Sequence, residues 1–229
     1  MTIICFSHLR WNFVYQRPQH LLSRFAKDNL VYYIEEPVVG LEATSLEVVQ
    51  TDGIIVITPH VKANEPSGVS ATTATLISEW FTQTVSGRCI YWFYTPMAID
   101  ICKVLPQPEL VIYDCMDELS AFRFAPPELK KNEALLFKQA DIVFTGGVKL
   151  FKAKKQYHKN IYAFPSSIDK KHFGAARSPG STPVEYEEIA KPRVGYFGVI
   201  DERFDLSLLG KLATHRVDLQ FVIIGPVVK

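Results

Sequence analysis

Nine short apolar runs, rich in β-branched and aromatic residues, recur along the chain and constrain it more than any other feature. They are "TIICFSH", "LVYYIEEP", "GIIVITPHV", "CIYWFYTP", "LVIYDCMD", "DIVFTGG", "NIYAFPSS", "RVGYFGVI" and "LQFVIIGPVV". Most are nearly continuous instead of alternating, as strands are when both faces of a parallel sheet are covered. Segments of helical period lie between several of them. In "RPQHLLSRFAK", Leu21, Leu22 and Phe25 share one apolar face and Pro18 falls in the first turn. In "PPELKKNEALLFKQA", Leu129, Leu136 and Ala140 form one stripe. Strands alternating with helices predict an α/β fold: a Rossmann-like, doubly wound, mostly parallel sheet.

One early segment breaks the alternation. "LEVVQTDGIIVITPHV" holds two strand-like runs around Asp52-Gly53, the signature of a hairpin that adds an antiparallel edge. A second break spans 174–192, "GAARSPGSTPVEYEEIAKP", where small, acidic and turn-forming residues replace the apolar runs and read as a linker. The expected organisation is therefore a first domain over 1–173, the linker, and a second unit over 193–229. That last stretch amounts to one β-α-β unit, which by itself leaves both sheet faces open and reads as the truncated start of a second domain.

Bulk chemistry excludes several classes. The net charge of +1 offers no global basic surplus for nucleic acid and no acidic surplus for disorder. Cys5, Cys89, Cys102 and Cys115 form no C-x-x-C pair, which favours small hydrophobes in a reducing compartment over disulfides or a zinc site. The N-terminus lacks a basic leader and no apolar run reaches spanning length, so a cytoplasmic location is expected. No strand is followed by G-x-G-x-x-G, which argues against a dinucleotide oxidoreductase, and no P-loop pattern is present.

Five motifs in order carry a family resemblance: "QRPQHLLSRFA" (16–26), "YDCMDE" (113–118), "NEALLFKQADIVFTGG" (132–147), "FPSSIDKKHF" (164–173) and "GYFGVIDERFDLSLL" (195–209). Together they resemble bacterial glycosyltransferases of GT-B architecture, in the glycosyltransferase-4-like group that includes teichuronic-acid-type enzymes. The resemblance implies two Rossmann-like domains, the first holding the acceptor and the second most of a nucleoside-diphosphate sugar. It implies sugar transfer to a cell-envelope glycan or lipid-linked acceptor, with no cofactor beyond the donor and no bound metal. A truncated module that binds acceptor or nucleotide without chemistry is the alternative.

On that basis Arg17 and Gln19, at the mouth of the first strand-to-helix turn, are candidates for the donor diphosphate. Helix starts attract anions, and a guanidinium grips phosphate in bidentate fashion. The alternative pairs Arg17 with Glu35 or Glu36. Gly198 and Arg203 are the matching candidates at the second such turn, where cations on both sides would stabilise a leaving diphosphate. "YDCMDE" places Asp114, Asp117 and Glu118 at the carboxyl end of a strand. Asp117 is the candidate catalytic carboxylate for the acceptor hydroxyl, with Asp114 and Glu118 beside it; turn and cap formation is the alternative. Glu133, Ser166 and Ser167 are further acceptor-binding candidates. The alternative for Glu133 is a partly solvated helix residue paired with Lys130 or Lys131, and for the serines a turn whose backbone groups they satisfy. The basic run "KLFKAKKQYHK" (149–159) reads as a solvated helix face or as a peripheral contact with anionic lipid.

Overall fold

The chain threads its first strands outward from the middle of one sheet and then returns to build the other half. The computed structural model describes residues 1–63, 69–178, 180 and 183–228. Positions 179, 181 and 182 of the expected linker and Lys229 lie outside the described residues. The chain divides into two units, Met1–Ser167 and Ile168–Lys229.

In the first unit the elements run β1 (Thr2–Ser7), α1 (Arg17–Phe25), β2 (Leu30–Glu35), β3 (Val38–Leu41), β4 (Ser45–Thr51), β5 (Ile54–Lys62) and α2 (Ala71–Thr84). They continue with β6 (Cys89–Phe93), a 3-10 segment Pro96–Lys103, β7 (Leu110–Cys115), a short 3-10 turn Leu119–Ala121, α3 (Leu129–Gln139), β8 (Ile142–Thr145), α4 (Val148–Lys154) and β9 (Ile161–Ala163). The strands form one nine-stranded sheet in the order β3-β5-β2-β1-β6-β7-β8-β9, with β4 also paired to β5. β1 is central: Cys5 stands opposite Tyr33 of β2 on one side and Trp92 of β6 on the other, both in parallel register. Because β2 and β6 leave β1 in opposite directions, a switch point opens at the carboxyl ends of β1 and β6, where open α/β sheets bind ligands.

Both sheet faces are covered, which explains the near-continuous apolar runs. On one face Ile4, Phe6, Tyr91 and Phe93 pack with Ile77 and Phe81 of α2 and Leu136 and Phe137 of α3. On the other, Cys5, Tyr33, Trp92 and Tyr94 pack with Leu22 of α1 and with Trp11. The predicted helical faces hold: Leu22 and Leu136 are fully buried, and Leu21 and Phe25 pack against the second cluster. The hairpin is also present. β4 runs antiparallel to β5 with Thr51 opposite Ile54, leaving Asp52 and Gly53 as a two-residue turn. Their φ values of 51° and 77° are the left-handed geometry that Asp-Gly accepts at little cost.

The second unit holds α5 (Lys170–Gly174), a 3-10 turn Ala175–Arg177, α6 (Val184–Glu187), β10 (Arg193–Phe197), α7 (Leu206–His215) and β11 (Gln220–Ile224). β10 and β11 pair in parallel across α7, a single β-α-β unit. None of its described residues is buried, and Phe197 is 78% exposed. Two strands and one helix leave no enclosed volume for a core.

Candidate functional site

The carboxyl edge of the first unit's sheet gathers most of the singled-out residues, and its centre is an ion pair. Asp114 sits at the end of β7 with no exposure. Arg17, the first residue of α1, is 8% exposed and donates from Nε to both carboxylate oxygens at 3.0 Å. Its Nη1 donates to the Phe164 carbonyl just beyond β9, at 2.5 Å. One guanidinium thus ties together α1, β7 and the chain after β9. Burial pushes the Asp114 carboxyl above its ordinary pKa, and the Arg17 guanidinium acts in the opposite direction by hydrogen bonding and by charge.

These contacts correct the alternative reading of Arg17. It pairs with neither Glu35 nor Glu36; Arg10 takes that place, donating to Glu35 Oε2 at 2.9 Å and to the Glu36 carbonyl at 2.6 Å. As a diphosphate ligand it would first have to release Asp114, because its fork already faces a carboxylate. Gln19 is likewise engaged at both ends of its amide and is 1% exposed. Its Oε1 accepts from the Gln16 backbone N–H at 2.9 Å, and its Nε2 donates to the Trp11 carbonyl at 2.8 Å. It fastens the 11–16 loop to the helix start, a role any short-range capping rule could have suggested.

A second network lies where β7 meets α3 and α4. Glu133 is 8% exposed. It accepts from the Tyr113 hydroxyl at 2.9 Å and from Lys154 Nζ at 2.7 Å. Lys154 also reaches Glu118 at 2.9 Å, and Glu118 accepts from Ser120. Neither Lys130 nor Lys131 is the partner of Glu133, contrary to the alternative reading. The partner is a lysine from the run read as solvated, itself 6% exposed. The signal was available: Leu150, Phe151 and Lys154 share one helical face. Burial opposes the charge on Lys154, but Glu133 and Glu118 outweigh it and hold the ammonium above its usual pKa. For Glu118 burial works the same way, yet Lys154 and Ser120 leave the carboxyl below its ordinary range.

Asp117 lies in the loop between these two networks, half-buried, with its carbonyl accepting from Cys115 Sγ at 3.6 Å. Gly146 lets this loop sit close to the end of β8, since a Cβ there would stand 2.2 Å from the Met116 carbonyl oxygen. Ser166 and Ser167 are exposed beyond β9. The structure therefore brings Arg17, Asp114, Asp117, Glu118 and Glu133 to one sheet edge and leaves only Asp117, Glu118 and the serines with access to solvent. Burial raises the thiols of Cys102 to about 11 and Cys115 to about 12, so neither is a nucleophile near neutral pH.

In the second unit, Gly198 directly follows β10, with φ 147°. Its carbonyl is so close to Gly225 that a Cβ on the latter would stand 1.8 Å away. Arg203 is gripped by Asp201, its Nε lying 3.0 and 3.1 Å from the two carboxylate oxygens. That pair is exposed at Arg203, whose side chain is 63% accessible, so a stronger anion can compete for it.

His8, just past β1 at the switch point, escaped the sequence reading. Its Nδ1 is buried without a hydrogen-bond partner among the described residues, and burial pulls its pKa from 6.5 to about 4. The imidazole is neutral in the folded protein and takes up a proton first in the unfolded chain. Stability is full above pH 6.5 and falls as pH drops toward 4, by roughly 3 kcal/mol for this residue. Urea titrations at several pH values check this: His8→Asn should flatten the profile in that window, and an unchanged slope would contradict it.

No family model matches the sequence, and no curated protein matches it. Similarity lies in the fold. The E. coli trehalose-6-phosphate structure bound with UDP-2-fluoro glucose aligns over 100% of this chain and 65% of that one, at 11% identity and TM-score 0.62. A sucrose-phosphate synthase from Thermosynechococcus elongatus aligns over 98% of this chain and 70% of that one, at 10% identity and TM-score 0.63. An α,α-trehalose-phosphate synthase (UDP-forming) from Burkholderia xenovorans, in complex with glucose-6-phosphate, aligns over 100% and 66%, at 10% identity and TM-score 0.61. The chain thus spans about two thirds of the length of these proteins. At such identities the likeness establishes the architecture, a Rossmann-like sheet of the GT-B type, and not the reaction.

Proposed function

We propose that the chain belongs to a glycosyltransferase that moves a sugar from a nucleoside diphosphate to a cell-envelope glycan or a lipid-linked acceptor, the first unit serving the acceptor. The observation that carries this reading is the alignment over nearly the whole chain with structures holding UDP-2-fluoro glucose in one case and glucose-6-phosphate in another. Asp117 is the carboxylate with the access and position to orient an acceptor hydroxyl, supported by Glu118, Ser166 and Ser167. Gly198 and Arg203 are the donor-side groups, the arginine exchanging Asp201 for a diphosphate. Arg17, Gln19, Asp114 and Glu133 serve the same site by holding its edge rigid. Peripheral membrane contact through 149–159 accompanies this reading, at the cytoplasmic face.

The test is a thermal-shift series with UDP, UDP-glucose and other nucleotide sugars, followed by turnover assays. A nucleotide sugar at about 100 times its Kd should raise Tm by about 5–10 °C. In a turnover-competent protein, Asp117→Asn should lower kcat about 100-fold or more while keeping that shift. A shift without turnover would favour the binding module. If no nucleotide sugar shifts Tm, in this chain or in a longer form, the proposal fails.

A further inference from the structure

Lys154 is buried, but the other lysines around it are not, and their arrangement has a direction. α3 and α4 lie side by side on the same sheet face, joined by the Lys154–Glu133 bond and by Phe137 packed on Tyr157 at 5.5 Å between ring centres. On α3, Leu129, Glu133, Leu136 and Phe137 point inward, so Lys131 and Lys138 point away from the sheet, and both are exposed. On α4, Leu150, Phe151 and Lys154 point inward, so Lys149 and Lys152 point away; both are exposed, as is Lys155 just past the helix. Two adjacent helices thus present four lysines from one outer face, with Lys155 exposed at its edge. Residues 128–160 contain eight lysines against three acidic residues, in a chain whose net charge is only +1. Among the described residues none of these five exposed lysines has an ion-pair partner.

We infer that this α3–α4 face docks on a bilayer surface rich in anionic lipid, deepening the peripheral contact named above from one basic run to a two-helix surface. Charge complementarity is the first argument: each lysine held near such a surface contributes to binding, and the contributions accumulate over a flat face. The residue types are the second. The segment has lysines and no arginine, hence mobile point charges on long apolar stems and no rigid forks for reading individual phosphates. That suits a fluid layer of headgroups better than a nucleic acid backbone. Val148 and Tyr157, 54% and 58% exposed, add carbon surface beside the lysines, which can enter the headgroup region.

Co-sedimentation with phosphatidylcholine vesicles, with and without phosphatidylglycerol, tests the docking and needs no sugar transfer, so its failure leaves the transferase reading untouched. Binding should require phosphatidylglycerol and should vanish as salt rises from about 0.1 M to about 1 M, where the screening length shrinks to about 3 Å. The triple variant Lys149→Gln, Lys152→Gln, Lys155→Gln should bind about 100-fold more weakly, at about five-fold per lysine. It should keep the parent Tm, because these side chains are exposed. A control triple at Lys27, Lys62 and Lys103, with the same change in net charge, should bind like the parent. Binding without phosphatidylglycerol, equal loss in both triples, or displacement from the vesicles by a single-stranded oligonucleotide would each overturn the inference.

Discussion

Replacing Arg17 by methionine is expected to lower the stability of the Met1–Ser167 unit by about 3–5 kcal/mol, the usual cost of breaking a buried ion pair from one side. The guanidinium is 8% exposed and the Asp114 carboxylate wholly enclosed, so the variant leaves a carboxyl that must either stay charged without a partner or take up a proton. The loss should therefore shrink toward pH 4, where a carboxyl of raised pKa is protonated in the folded state, and grow toward neutrality. The double variant Arg17→Met, Asp114→Leu should recover most of the stability, since an apolar pair of similar size carries no stranded charge. Urea unfolding at two pH values provides the measurement. A loss below about 1 kcal/mol for the single variant would show that the pair is not a strut. It would then favour Arg17 as a ligand for the donor diphosphate.

Lys154→Met should have an effect of similar size for a related reason. One ammonium serves two carboxylates, at 2.7 Å to Glu133 and 2.9 Å to Glu118. Without it Glu133 keeps only the Tyr113 hydroxyl and the Cys115 thiol nearby, in a pocket closed by α3 and β7. A cost of about 3 kcal/mol corresponds to a fall in Tm of about 6–12 °C for a unit this large. The loop 115–118 should exchange its amide hydrogens faster, because Glu118 loses its anchor. Adding Glu133→Leu should restore part of the Tm. If the single variant melts within about 2 °C of the parent, the network contributes little. The contrast with Lys149, Lys152 and Lys155 is direct: lysines of one run, of which Lys154 should lower Tm when replaced and the others should leave it unchanged, because Lys154 is buried and they are exposed.

That contrast shows where sequence reading stops. Reading the 149–159 run as a solvated basic helix face holds for Lys149 and Lys152, although the helix itself ends at Lys154. It misreads Lys154 because a charge on an apolar stripe looks like one more surface lysine unless its acidic partners are known. Local spacing offers Glu133 the adjacent Lys130 and Lys131 as partners, whereas its lysine lies 21 residues away. Arg17 was singled out for its place at a helix start, and that place is correct. Its partner Asp114 lies 97 residues away, and the pairing clasps α1 to β7. Asp114 and Asp117 look alike in "YDCMDE", yet one is enclosed and the other half-exposed.

The amino-acid order alone was enough for the layered parallel sheet, the Asp52-Gly53 hairpin and the inward faces of α1 and α3. Each follows from periodicity or turn chemistry within a dozen residues, where backbone geometry dictates which side chains share a side. Which charged groups are sealed against each other, and which remain open to a substrate or a lipid surface, depended on contacts across many strands and helices. Burial and pairing are properties of the packed arrangement, and no local spacing encodes the dielectric around a carboxylate.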